Sequence, residues 1–217
     1  MPMSNVLHLP TVIHYAMALK PQRVLDVGVG LGTYGFLLRQ YLDIAKERVA
    51  RSEWQLAIDG IEVFEGYRNP MWGYAYNEVR VGDVRDLLPN LPKYDLALCN
   101  DVLEHFQHDE ARNLVQRLIE KCGTVIATTP NVEFSQGAWG GNEAEAHRCL
   151  LKKSDFPHLV TWSRTGVTNC YVSTVLPRHI SAIKEAESSC PVCTLPRVPL
   201  LKKGARKLRK LLVDFNA

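Results

Sequence analysis

Residues 24–35, VLDVGVGLGTYG, constrain this chain more than any other stretch. A short apolar run enters a loop with glycine at positions 28, 30, 32 and 35. Beyond the loop, Tyr34, Leu37, Leu38, Tyr41, Leu42 and Ala45 recur at helical spacing and form one apolar face. The run before the glycines predicts a buried strand and the face after them predicts a helix. A strand that feeds a glycine turn and then a helix brings bare backbone, and the helix N-terminus, against a ligand. The chain must therefore build an α/β unit around that turn.

The alternation of strand and helix continues. Residues 55–63, 78–81, 94–100 and 124–129 read as further strands. Between the last two, Ala111, Leu114, Val115, Leu118, Ile119 and Cys122 share a helical face, with Asp109 and Glu110 in the first turn and Gly123 behind the end. A short helix over 11–19, stopped by Pro21, precedes everything. Such alternation predicts a parallel sheet with right-handed crossovers. After Pro130 the pattern changes to a long loop rich in Gly, Asn and Glu, then a short helix near 154–158. Two strand-like runs, 159–164 and 169–176, flank the turn residues Thr165 and Gly166 and predict an antiparallel hairpin.

The 217 residues and 46% hydrophobic content suit one domain with a sizeable core, assigned to 1–178, and a tail over 179–217. Net charge is +3, yet residues 200–217 alone hold six Lys or Arg and one Asp, so the remainder is slightly acidic. In that tail Leu208, Leu211, Leu212 and Phe215 form an amphipathic stripe, which suits either docking on the domain or contact with a membrane surface or a partner. Cys190 and Cys193 form a lone C-x-x-C and read as tail thiols, with Cys149, Cys170 and His179 joining them around zinc only by tertiary accident. No metal site is expected. The N-terminal residues lack the pattern of a secretory signal and no apolar run is long enough to span a bilayer, so a cytoplasmic protein is expected.

Two fingerprints overlap in the loop. Gly28, Gly30 and Gly32 spell G-x-G-x-G, while Gly30, Gly32 and Gly35 spell G-x-G-x-x-G. Asp26 discriminates between them. If Gly28 opens the motif, the Asp26 carboxylate stands at the strand's end beside the ligand, where it suits the cationic amino-acid portion of S-adenosylmethionine and repels a dinucleotide's diphosphate. If Gly30 opens it, the carboxylate is buried mid-strand at a cost.

On these residues the chain resembles the class I S-adenosylmethionine-dependent methyltransferases, from about residue 23 to 131. The resemblance implies an α/β, Rossmann-like fold: a mostly parallel seven-stranded sheet with helices on both faces and a C-terminal antiparallel hairpin. It implies that Glu62, with Asp59 as a substitute, holds the ribose hydroxyls, and that Val63 and Phe64 meet the adenine face. Asp83, beside Val84, would read the adenine amino group. Asn100 would offer its carbonyl to the methionine amine. Asp101 to His105 spell D-V-L-E-H, which the family often shows at this place. Glu104 and His105 are expected to orient the loop or the next helix rather than to perform chemistry. As a cap, Asp83 would instead serve the helix that follows it.

The acceptor side is expected in the loop after the fifth strand, which offers Glu133, Gln136, Trp139, Asn142, Glu143, Glu145 and His147. His147 reads as a base or hydrogen-bond partner at the acceptor pocket, or as an anchor of the loop. Asp101 is a second candidate base. His14 and Tyr15 of the N-terminal helix would close the pocket from the other side. The function expected is methyl transfer from S-adenosylmethionine to a small-molecule or glycoconjugate acceptor at oxygen. The rivals are an RNA methyltransferase that uses the tail for phosphates, a non-catalytic cofactor-binding partner subunit, and a nicotinamide oxidoreductase. A base amino-methylase is disfavoured, because CNDVLEHF replaces the Asn/Asp-Pro-Pro-aromatic signature.

Overall fold

A computed structural model of the chain describes residues 5–133 and 135–189. The Cys190–Cys193 pair and the amphipathic stripe from Leu208 to Phe215 lie outside the described residues. Seven strands form one sheet: β1 Arg23–Val27, β2 Ala57–Glu62, β3 Glu78–Val81, β4 Leu96–Asn100, β5 Thr124–Pro130, β6 Leu159–Thr165 and β7 Thr168–Thr174. Their order is β3-β2-β1-β4-β5-β7-β6. The first five are parallel, and β7 runs antiparallel to both β5 and β6. The mostly parallel sheet and the closing hairpin agree with the sequence pattern.

Period-two alternation splits the core between two faces. Val24, Ile58, Leu96, Leu98, Ile126 and Val172 face one layer, made by helices α1 Leu9–Leu19, α2 Thr33–Leu42, α3 Pro70–Ala75 and α6 Pro177–Ser189. Leu25, Val27, Ala97, Cys99, Val125 and Ala127 face the other, which holds α4 Val84–Leu87 and α5 His108–Cys122. The six expected α5 positions are all buried, and Gly123 at φ 73 ends the helix.

Three departures from the sequence reading have physical causes. Helix α2 ends at Leu42 rather than continuing to Ala45, and the residue after it, buried Asp43, turns inward as a carboxylate hub. It accepts hydrogen bonds from the Arg39 and Arg48 guanidiniums and from the amide of Gln55. The helix near 154–158 is a single 3-10 turn over Lys153–Asp155. Finally, α6 crosses the boundary placed between residues 178 and 179 and buries His179, Ile183 and Ala186. His179 accepts or donates at 2.6 Å to Thr124 Oγ1 at the start of β5. Residues 179–189 therefore share the domain's core.

Because β2 and β4 flank β1 on opposite sides, the strand order reverses between β1 and β4. Open α/β sheets bind ligands outside the carboxyl ends of the strands at such a switch point. No helix among the described residues is long and apolar enough to cross a membrane.

Candidate active site

The glycine loop leaves β1 at the switch point and delivers the chain to α2. Gly28, Gly30 and Gly32 all adopt positive φ, at 78°, 51° and 92°. At Gly28 a side chain is excluded twice, since a Cβ would also lie 2.3 Å from Val102 Cγ2 in the loop after β4. Three side chains from distant segments then pin the loop. Glu62 Oε2 accepts from the Gly30 amide at 2.8 Å, and Trp72 Nε1 donates to the Gly30 carbonyl at 2.8 Å. The Tyr76 hydroxyl accepts from the Gly35 amide at 3.0 Å.

The same Tyr76 hydroxyl donates to Asp26 Oδ2 at 2.6 Å. This corrects the role expected of Asp26. Strand alternation places it on the Val24 face of β1, beneath Tyr76, and not in the cleft. Burial pushes its carboxyl up to about 7, with the Tyr76 hydrogen bond working the other way. The discrimination between cationic and diphosphate ligands cannot rest on this residue.

An open cleft of about 1080 Å³, counted with the solvent at its mouth, lies over the carboxyl ends of β1, β2 and β4. It brings together most of the residues singled out from sequence: Gly28, Gly30, Glu62, Val63, Asp83, Val84, Asn100 and Asp101. Gly32 supports the loop from outside, and Asp59 is buried away from the cleft, accepting from the Tyr94 hydroxyl at 2.8 Å. Glu62 also accepts from the Phe64 amide at 3.0 Å; burial raises its carboxyl above the usual range, and the Gly30 and Phe64 amides oppose that rise. Asp83 both lines the cleft and caps α4, accepting from the Arg85 amide at 2.8 Å. The Arg85 guanidinium holds its carboxyl below the ordinary carboxylate range.

After β4 the chain turns sharply. Asp101 has φ 53, a left-handed conformation uncommon for a residue with a side chain. Its Oδ2 accepts from the Asn5 amide at 2.8 Å, which ties the N-terminal segment to the cleft rim. A 3-10 turn over Leu103–His105 follows and buries Glu104. Burial, with the nearby Asp101 charge, pushes the Glu104 carboxyl well above its ordinary value.

The loop after β5 supplies the far wall. Asn142 and Glu145 line the cleft, while Glu133, Gln136, Trp139, Glu143 and His147 do not. Glu145 accepts from the Tyr67 hydroxyl at 2.8 Å, and Asn142 donates to that same hydroxyl at 3.3 Å. His147 stands beside His105, ring centroids 5.1 Å apart, and His105 is the one that reaches the cleft. Neither His14 nor Tyr15 closes the cleft; His14 Nε2 meets the Ala186 carbonyl at 2.9 Å, on α6. Sequence reasoning missed Tyr67, Arg85 and Arg148 in the lining. Only Arg85 carried a signal, two residues beyond Asp83 at the start of a helix.

No family model matches the chain, and no curated protein matches it in sequence. Solved structures match it in fold. The magnesium protoporphyrin IX methyltransferase of Synechocystis PCC 6803 with bound SAH has a TM-score of 0.50 at 17% identity, over 76% of this chain and 80% of that one. The N-terminal domain of EvdMO1 with SAH bound gives 0.53 at 14% identity, over 79% and 82%. The PH0226 protein from Pyrococcus horikoshii OT3 gives 0.52 at 16% identity, over 80% and 95%. At such identities the shared property is the fold.

Proposed function

From the premise that this chain has the class I S-adenosylmethionine-dependent methyltransferase fold, we propose that it binds S-adenosylmethionine in the cleft. We further propose that it methylates a small-molecule or glycoconjugate acceptor at oxygen. One observation carries the choice of cofactor. The cleft is lined by five acidic residues, Glu62, Asp83, Asp101, Glu110 and Glu145, against two arginines, Arg85 and Arg148, and Arg85 is itself paired with Asp83 and Glu110. The loop's amides are also largely committed. Gly28 and Val29 donate to the Ile61 carbonyl, Gly30 to Glu62 and Gly32 to the Val29 carbonyl. A diphosphate needs open amide donors and positive potential. A sulfonium amino acid is a cation and is favoured by the same acidic lining.

In this reading Glu62 holds the ribose hydroxyls as a two-oxygen acceptor. Val63 and Val84 flank the adenine, Asp83 takes its amino group, and Asn100 receives the methionine amine. The bound cofactor supplies an already activated methyl group, so the chain's own task is to position the acceptor and exclude water. Asp101 and His105, which line the cleft, are assigned to the acceptor side, and His147, whose ring lies beside that of His105, is assigned the part of a positioning residue. Tyr67, Asn142 and Glu145 hold the far wall.

Calorimetry of the full chain with S-adenosylmethionine and with NAD tests the cofactor. Binding of the first and not the second is the expected result, and the reverse would overturn the reading. Formation of S-adenosylhomocysteine across a panel of hydroxyl-bearing acceptors then separates an enzyme from a binding module. His147→Ala is expected to lower kcat with the true acceptor while leaving cofactor affinity unchanged.

A further inference from the structure

The β4 and β5 loops meet in a side-chain cluster to which the methyl-transfer reading assigns no ion, and whose buried acid, Glu104, it leaves without a role. Glu104, His105 and His147 each place one potential ligand atom so that all three lie within 4.8 Å of one another. Glu104 is 2% exposed, and its Oε2 is buried without a hydrogen-bond partner. Buried carboxylate oxygens in folded proteins are paired, so this one marks a place where a further group belongs. From these donors we propose that Glu104, His105 and His147 bind a divalent first-row transition cation.

The donor set selects the ion. Two imidazoles and one carboxylate suit manganese, iron, cobalt or zinc, whereas magnesium and calcium prefer oxygen ligands throughout. The site is also held in place by backbone. The amides of Arg148 and Cys149 donate to the Glu104 carbonyl at 2.8 Å and 3.2 Å, which stitches the His147 segment to the Glu104 turn. The His147 amide donates to the Gln136 carbonyl at 2.9 Å. His105 Nδ1 lies 3.3 Å from the Ala146 carbonyl, the kind of outer contact that orients a ligating imidazole. Three protein ligands leave coordination positions for water or substrate. His105 belongs to the cleft wall, so an ion held here borders the cleft. Its use to hold an acceptor oxygen rests on the methyl-transfer reading; the ion site does not.

Manganese is the probe of choice, because thiols such as those of Cys190 and Cys193 favour zinc over manganese as soft donors. Full-length protein, stripped with EDTA, is titrated with Mn²⁺ and free ion is read by electron paramagnetic resonance. One site per chain is expected, weakened by about tenfold or more in His147→Ala and in Glu104→Gln. His158→Ala, on an exposed residue elsewhere, should bind as the parent does. Circular dichroism and thermal melting establish that each variant is folded. Should Glu104→Gln fail to fold, the partly exposed loop residue His147 decides through its own variant. Absence of Mn²⁺ binding at millimolar concentration, or binding unchanged in a folded His147→Ala protein, would overturn the proposal. Calorimetry with S-adenosylmethionine on the same metal-free protein reports separately, so failure of one assignment is distinguishable from failure of the other.

Discussion

The Tyr76 hydroxyl bridges Asp26 and the glycine loop: it donates to Asp26 Oδ2 at 2.6 Å and accepts from the Gly35 amide at 3.0 Å. One phenol thus satisfies a buried acid on β1 and one of the otherwise unpaired amides in the first turn of α2. The motif's acid therefore braces the loop from beneath, and the loop's geometry depends on a residue 41 positions beyond Gly35. Tyr76→Phe keeps the ring and removes both bonds. It is expected to cost about 1–3 kcal/mol of stability, as loss of a hydrogen bond to a buried polar group does. Urea unfolding measures it, and a change within experimental error would mean that the bridge contributes nothing.

Asp26 also sets a pH dependence. Its carboxyl titrates at about 7 in the folded chain against 3.8 when unfolded. Between those values the folded state binds a proton that the unfolded state has lost, so this group makes stability fall as pH rises from about 4 to 7. Glu62 and Glu104, also raised, slope the same way. Asp26→Asn removes only the Asp26 share, while the amide oxygen still accepts from Tyr76. The variant's stability, relative to the parent, should therefore rise over that interval and level off above it. Parallel curves for the two proteins would contradict the assignment.

Gly28→Ala meets two obstacles together. The backbone has φ 78, and the new methyl would lie 2.3 Å from Val102 Cγ2. Relief requires the loop or the Val102 side chain to move. The expected cost is about 1–3 kcal/mol of stability. Cofactor affinity should fall as well, since Gly28 and Val102 both line the cleft. Thermal unfolding and calorimetry together check this, and unaltered binding would count against the proposed cofactor position.

Glu62 separates a charge requirement from a hydrogen-bond requirement. Its two oxygens accept from the Gly30 and Phe64 amides. Glu62→Gln keeps one acceptor, and Glu62→Ala keeps none. Cofactor affinity is expected to fall by about tenfold or more in the alanine variant, equivalent to the loss of one charge-assisted hydrogen bond, and by less in the glutamine variant. Equal affinity in all three proteins would remove Glu62 from the ribose site.

Much of the architecture was legible because it is local. The strand at Glu78–Val81 has the ends its sequence suggests, and the apolar face from Ala111 to Cys122 is buried in full. Some of what was missed carried a signal. Asn69 caps α3 through its side chain with Pro70 at the first position, and His179, Ile183 and Ala186 of α6 share one face behind Pro177. The first helix is only six residues long, too short for a periodic pattern, and the second was obscured by the change in composition toward the tail. The face on which Asp26 lies was also implicit in its alternation with Leu25 and Val27.

The sequence by itself determined the strand-loop-helix unit, the parallel sheet, the closing hairpin and the acids that end successive strands, because periods of two and 3.6 and the tolerance of glycine for positive φ act over a few residues. Only the tertiary structure decided which side chain answers which. It placed Tyr76 under Asp26, set Glu62 on the Gly30 amide, and brought His147 to Glu104 and His105 although α5 and β5 lie between them in the chain. Such pairings depend on how separate segments close on the sheet edge, and no local pattern in a chain records the distance between segments that meet only after folding.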